Sequence, residues 1–236
     1  MTELDPEREQ FLQRLFADPP LVHTRPDGSR AHVWHTAPYC YRFMAHLVSA
    51  GSRTLETGCG LSTAMFAGLG TDHCAVFASD EEAAALREWC AALQVSTDNL
   101  ELRIAFSTDA LPTMHGPLDL VLIDGAHSFP TPVIDWFYAG GRLVRGGVLV
   151  VDDVQLPAVQ VLLEFLDADP RWEHIAGDAK WRAYRRLSEG SLVEEWTMQA
   201  FWRPPRPRGL ARRITGRIRR IAGGNQPREI SLPPAQ

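Results

Sequence analysis

Apolar residues at Leu4, Phe11, Leu12, Leu15 and Phe16 recur among charged neighbours. That helical period predicts a helix over residues 3–17, stopped at Pro19-Pro20. Residues 18–37 are irregular and rich in His, Pro and Gly, and a second helix is predicted from Pro38 to Val48. Short apolar runs then alternate with helical patterns. Strands are predicted at 52–56, 74–79, 101–105, 118–123 and 147–151, with helices at 61–69, 81–93, 131–143 and 157–167. The run from Leu118 to Ile123 and the run from Val148 to Val151 are almost wholly apolar, as strands buried on both faces require. Residues 172–175 and 181–184 read as two further strands forming an antiparallel end. The pattern predicts an α/β fold: a Rossmann-like, doubly wound, mostly parallel seven-stranded sheet with helices on both faces. Its expected organisation is an N-terminal helix and lid segment (1–37), a main domain (38–202) and a basic, Pro/Arg-rich tail (203–236).

Composition narrows the class. Of 236 residues, 45% are hydrophobic and 22% charged, which supports a packed core and excludes a wholly disordered chain. No apolar run reaches the roughly 18 residues of a membrane span, and the acidic N-terminus lacks the apolar stretch of an export signal. Cys40, Cys59, Cys74 and Cys90 form no CxxC pair, so reduced thiols and a cytoplasmic location are expected. The net charge of −5 conceals a split. From Arg203 onward nine arginines face one acid, whereas the remainder carries 15 basic and 28 acidic residues. An acidic body argues against nucleic acid as a partner. In the tail, Leu210, Ile214, Ile218 and Ile221 recur at helical spacing between arginines. The tail is read as a solvated extension, with peripheral contact to an anionic membrane as the less favoured alternative. Oligomeric state is left open, a homo-oligomer included.

In such sheets ligands bind beyond the carboxyl ends of the strands. The first strand runs into Leu55-Glu-Thr-Gly-Cys-Gly-Leu-Ser-Thr63, in which Gly58 and Gly60 allow a sharp turn and close approach to a ligand. Asp80, 20 residues beyond Gly60, stands where a ribose diol would be held. Thr63 replaces the third glycine of the dinucleotide fingerprint, and Glu56 would repel a pyrophosphate but attract a cationic ligand. S-adenosylmethionine, with its sulfonium and ammonium, meets that requirement. The plainer reading of Glu56 is a helix-capping acid.

On these motifs the chain resembles class I S-adenosylmethionine-dependent methyltransferases over roughly residues 38–185. The resemblance implies that Glu56, Gly58 and Gly60, with Ser62 and Thr63 in the following helix turn, bind the methionine part of the donor. It also implies that Asp80 binds the ribose, and that Ser107 to Asp109 lie by the adenine. The segment Phe106-Ser-Thr-Asp-Ala110 lacks the glycine often found there.

The fourth strand ends at Asp124-Gly-Ala-His127 and the fifth at Asp152-Asp153. Carboxylates crowded on one sheet edge repel, and a divalent cation removes that cost. An all-oxygen set suits Mg²⁺ or a similar hard ion, with Asp124, Asp152 and Asp153 as the expected ligands. The 28-residue step from Asp124 to Asp152 resembles metal-dependent O-methyltransferases of the catechol type. Asp124-x-x-His127 resembles the macrocin type, which implies that His127 acts as base. The plainer readings are that Asp152 and Asp153 cap the helix begun by Pro157 and that His127 is an ordinary loop histidine. The function expected is O-methylation of a hydroxyl on a small-molecule acceptor, with Asp124 and His127 catalytic. The alternatives are an NAD(P)-dependent oxidoreductase and a non-catalytic adenosyl-ligand-binding protein. Trp34, His35, Tyr39 and Tyr41, and the stretch from Trp196 through Phe201 and Trp202, would either wall the acceptor pocket or pack in the core.

Overall fold

A computed structural model of the chain describes residues 4–24, 27, 29–31 and 36–200. Trp34, His35, Phe201, Trp202 and the basic tail lie outside the described residues.

The chain opens with α1 (Pro6–Ala17), whose first turn is capped by the Asp5 carboxylate accepting from the Arg8 amide at 3.0 Å. A two-stranded antiparallel ribbon follows, β1 (His23–Thr24) with β2 (Arg30–Ala31). Next come α2 (Pro38–Leu47), β3 (Arg53–Thr57), α3 (Leu61–Gly68), β4 (Asp72–Phe77), α4 (Asp80–Ala92) and β5 (Leu100–Ile104). The second half runs through α5 (Ser107–Ala110), β6 (Leu118–Ile123), α6 (Thr131–Ala139), β7 (Leu143–Val151), α7 (Pro157–Ala168), β8 (Trp172–Gly177) and β9 (Arg182–Arg186).

The main sheet has seven strands in the order β5-β4-β3-β6-β7-β9-β8. β5 through β7 pair in parallel and β9 joins antiparallel on both sides, so the architecture is the expected one. Alternation along β6 shows why it packs on both faces. Leu120 and Leu122 face α1 to α4, while Val121 and Ile123 face α6 and α7, each group joining its own core cluster. The chain reverses its winding between β3 and β6, and this switch point opens the crevice for a ligand.

Some boundaries differ from expectation. The second strand of the parallel set spans 72–77 rather than 74–79. The helix expected over 131–143 ends at Ala139, and a 3₁₀ turn (Gly140–Arg142) leads into a strand that starts at Leu143. Segment 107–110, for which no element is predicted, forms one short helical turn. The N-terminal helix is also no separate appendage. Leu12 and Leu15 are fully buried in the core that holds Met44 and Met65. The Arg8 guanidinium donates to the carbonyls of Ala45 and Val48 at the end of α2, and Arg42 forks onto Glu9.

Tyr41 is buried and tilted against the ring of Phe16, so it packs in the core, while Tyr39 is half exposed. Trp181, just before β9, is fully buried against Phe43, with ring centroids 5.1 Å apart. Its indole N–H donates to Asp178 Oδ2 at 3.0 Å. Emptying this position removes both the packing and the anchor of the turn before β9. Trp181→Ala is expected to cost about 3–5 kcal/mol, read as a lower urea midpoint at an unchanged slope. A loss below about 1 kcal/mol would show that the packing there is not cooperative with the sheet.

Candidate active site

The carboxyl ends of β3, β4, β6 and β7 surround a cavity of about 670 Å³. Its floor is a close crossing of two main chains. Gly58 follows β3 with φ +94°, and a Cβ there would stand 2.5 Å from the Asp124 carbonyl oxygen. Gly125, after β6, packs its Cα against Thr57, where a Cβ would lie 3.1 Å from the Thr57 Cβ. Small residues at both positions let the strand ends touch and leave the crevice above them open.

One wall is lined by Gly58, Cys59, Val76, Phe77, Ala78 and Glu82, together with His23 from β1. Glu82 Oε1 pairs with His23 Nδ1 at 2.8 Å, and the Cys59 thiol points at Glu82 Oε2 from 3.8 Å. Burial, aided by Glu82 and Glu56, pushes the Cys59 thiol up, so it stays protonated. The facing wall carries Ala105, Phe106, Ser107 and Thr108; the Phe106 ring is exposed to the cavity side.

Several residues expected to bind a donor stand elsewhere. Glu56 does not line the cavity: it is buried, accepts from Thr63 Oγ1, and pairs with His73 Nε2 at 3.1 Å. Its charge is spent on the interior because strand alternation turns it under the turn rather than into the crevice. Thr63 Oγ1 in turn accepts from the Gly60 amide at 2.9 Å, so Gly60, Thr63 and Glu56 form a brace behind Gly58. Ser62 is buried within α3 and also lies off the cavity lining. Asp80 is exposed in the first turn of α4, and it is Glu82, two residues on, that reaches the cavity. The spacing Ser79-x-x-Glu82 carried the signal. The Ser79 hydroxyl accepts from the Glu82 amide at 3.1 Å, so the helix begins at Asp80 and rotates that residue outward. Ser107 lines the cavity, whereas Asp109 is exposed and does not.

The far end of the cavity holds Asp124, His127 and Asp153. One ligand atom from each lies within 4.8 Å of the others. His127 Nε2 is 3.3 Å from Asp153 Oδ2 and 3.9 Å from Asp124 Oδ1. Its Nδ1 is 3.1 Å from the Gly125 carbonyl, which can only accept, so Nδ1 carries the proton and Nε2 presents a lone pair in the neutral ring. That buried Nε2 has no hydrogen-bond partner. A lone pair facing two carboxylates is repulsive unless a cation or a proton stands between them, and the oxygen-rich donor set suits a hard divalent ion.

Asp152 departs from the expected ligand set. It is almost fully buried; Oδ1 accepts from the Thr36 hydroxyl at 2.7 Å and Oδ2 lies 3.4 Å from Lys180 Nζ. The residue next to it takes the cavity position instead. Asp153 adopts φ +52°, a left-handed conformation that Asp tolerates, and its carboxylate stands beside His127. The metal set the geometry supports is therefore Asp124, His127 and Asp153.

Electrostatics separate these acids. Burial, then the charges of Asp152, Glu56 and Asp153, raise Asp124 well above the carboxylate range. Burial also raises Asp152, against the Thr36 hydroxyl and Lys180, which hold it down. For Asp153, burial is outweighed by Lys180 and Gln155, and its carboxyl is lowered. Behind the same wall, Asp135 of α6 is fully buried and raised by burial. The hydroxyls of Ser107 and Thr57 are near enough to hold it down, yet its oxygens make no hydrogen bond of normal geometry.

Comparison with known proteins accords with this geometry. Residues 55–154 match the protein-family model described as a methyltransferase domain. No curated protein sequence matches the chain. Among solved structures, a candidate O-methyltransferase from Klebsiella pneumoniae superposes with a TM-score of 0.58 at 17% identity, covering 80% of this chain and 93% of that one. Cofactor-bound Rv0187 from MTB gives 0.56 at 20% identity, covering 78% and 92%. An SAH-bound methyltransferase from Podospora anserina gives 0.55 at 17% identity, covering 78% and 89%. The likeness is one of fold. The family match favours methyl transfer over the nicotinamide-oxidoreductase alternative.

Two outcomes follow from this geometry. Gly58→Ala combines an unfavourable φ with a main-chain clash. It is expected to cost more than about 1 kcal/mol and to narrow the crevice, read by chemical denaturation; wild-type stability would contradict the close crossing. For Asp124, a pKa raised by folding means that its ionised form destabilises the folded chain, and that this penalty fades as pH falls through the raised value. Asp124→Asn in EDTA at pH 8 is therefore expected to raise Tm by a few degrees, since ~1 kcal/mol moves a domain of this size by ~2–4 °C. The gain should shrink toward pH 5. A gain that is absent at pH 8, or that grows in acid, would refute the charge crowding.

Proposed function

We propose, from the match of residues 55–154 to the methyltransferase-domain model, that the protein transfers a methyl group from S-adenosylmethionine to a hydroxyl of a small molecule, with a divalent cation at Asp124, His127 and Asp153. The observation that carries the reading is the convergence of those three ligand atoms within 4.8 Å, in the lining of a cavity of about 670 Å³.

The donor's chemistry is an electrophilic methyl on sulfur. The chain's part is to orient it. Glu82 offers carboxylate oxygens to a ribose diol, and Phe106 offers an apolar face to a flat ring. The brace of Glu56, Thr63 and Gly60 keeps the turn at Gly58 rigid against the donor's methionine end. A bound divalent ion would supply Lewis acidity, lowering the pKa of a hydroxyl held beside it. Asp124 and Asp153 would hold that ion by oxygen and His127 by Nε2. An acceptor hydroxyl held there would lie at the carboxylate end of the crevice, and holding it aligned with the methyl would contribute a large share of the acceleration. A second reading is favoured by the Nδ1–H bond to Gly125, which leaves Nε2 basic: His127 takes the hydroxyl proton itself.

The test is transfer of a labelled methyl group from S-adenosylmethionine to a panel of hydroxylated acceptors. Activity is expected to vanish in EDTA, to return with Mg²⁺ or Mn²⁺, and to be lost in Asp153→Asn. Turnover that is undiminished by EDTA while His127→Ala is inactive selects the base reading. Donor placement is tested by adenosylhomocysteine binding. Glu82→Gln is expected to weaken it at least about tenfold, the value of a charged hydrogen bond, and equal affinity would remove Glu82 from the donor site.

A further inference from the structure

We propose that Lys180 is the resident counter-ion of this acidic cluster and that its charge sets how tightly a divalent cation is held by Asp124, His127 and Asp153; the inference rests on the metal reading above. Asp153 is shared among three neighbours. Its Oδ2 faces His127 Nε2 at 3.3 Å, while its Oδ1 accepts from Lys180 Nζ at 2.7 Å and from the neutral Gln155 amide at 2.9 Å, so Lys180 is the cation on that side. The same ammonium lies 3.4 Å from Asp152 Oδ2. One lysine therefore serves both adjacent acids, on the side away from the histidine.

The ammonium is placed by more than its own flexible stem. Lys180 sits in the turn between β8 and β9, where Asp178 Oδ1 accepts from the amides of Lys180 and Trp181 at 2.7 and 3.2 Å. The Asp178 amide returns a bond to the Trp181 carbonyl at 2.9 Å, and the buried Trp181 indole adds another to Asp178 Oδ2. The Lys180 carbonyl accepts from the Val154 amide at 2.9 Å. The turn that carries the lysine is thus tied directly to the turn that carries Asp152 and Asp153.

Two consequences follow from elementary electrostatics. Without a metal, the lysine offsets charge that would otherwise repel across the turn. With a divalent ion on the Oδ2 side of Asp153, two cations share one carboxylate, and their repulsion, doubled by the ion's charge, weakens binding. Lys180 is a positioning and tuning residue, because it meets the cation only through Asp153.

The experiment is a titration of the full chain with Mn²⁺, following free Mn²⁺ by electron paramagnetic resonance, for wild type, Lys180→Met, Lys180→Gln, Lys180→Arg and Asp153→Asn. Thermal melts confirm that each variant is folded. Lys180→Met and Lys180→Gln are expected to bind Mn²⁺ at least tenfold tighter than wild type, and Lys180→Arg within twofold of it. A purely structural lysine would give the opposite sign, since loosening the Asp153 turn weakens a metal site. Equal or weaker binding in the neutral variants, with Asp153→Asn abolishing binding, would overturn the role of Lys180 and leave the metal reading standing. No Mn²⁺ bound by wild type or either neutral variant would overturn both.

Discussion

Negative charge gathered at the ends of β6 and β7 is the constraint around which this molecule is arranged. Asp124, Asp152 and Asp153 emerge from adjacent parallel strands whose registers pair Ile123 with Val151. Their proximity is dictated by the sheet and cannot be relaxed without breaking it. Each acid is answered differently. Asp152 is withdrawn into the interior and met by the Thr36 hydroxyl, Asp153 is paired with Lys180, and Asp124 is left raised and exposed to the crevice. The three carboxylates of one sequence pattern thus become a buried anchor, an ion-paired group and one whose protonation is favoured.

The remainder of the scaffold keeps that edge open yet rigid. The crossing of Gly58 over Asp124 and of Gly125 over Thr57 holds the strand ends in van der Waals contact. Behind it, the buried pair of Glu56 and His73 stacks its imidazole on Phe66, and Thr54 closes the network through His73 Nδ1 at 2.8 Å. A buried polar pair of this kind contributes little net stability compared with apolar packing. Its use here is geometric, because it fixes the turn from which the glycines project.

The cavity wall shows how an argument from charge selects a residue type but not its position. The sequence offers Glu56 and Asp80 as acids for a ligand; the carboxylate that lines the cavity is Glu82. Which acid reaches the cavity depends on rotation. One residue of strand alternation buries Glu56, and one helical turn capped by Ser79 swings Asp80 outward and Glu82 inward. The same logic puts His127 and Asp153, rather than Asp152, beside Asp124 at the cavity, since consecutive residues at a strand end point to opposite sides until a left-handed residue such as Asp153 redirects the chain.

Hydrophobic periodicity by itself determined the alternation of strands and helices, the parallel sheet with its antiparallel end, and the edge at which the cavity opens. Those are properties of one-dimensional pattern, because burial on two faces demands apolar runs and crossover helices demand amphipathic ones. The GxG turn and the acids after the fourth and fifth strands were legible for the same reason. Tertiary structure alone decided which of the acids face the crevice, that His23 from the N-terminal ribbon meets Glu82, and that Lys180, 27 residues beyond Asp153, supplies its counter-charge. Such contacts join residues distant in the chain through side-chain direction and backbone turns of single residues, and periodicity carries no record of either.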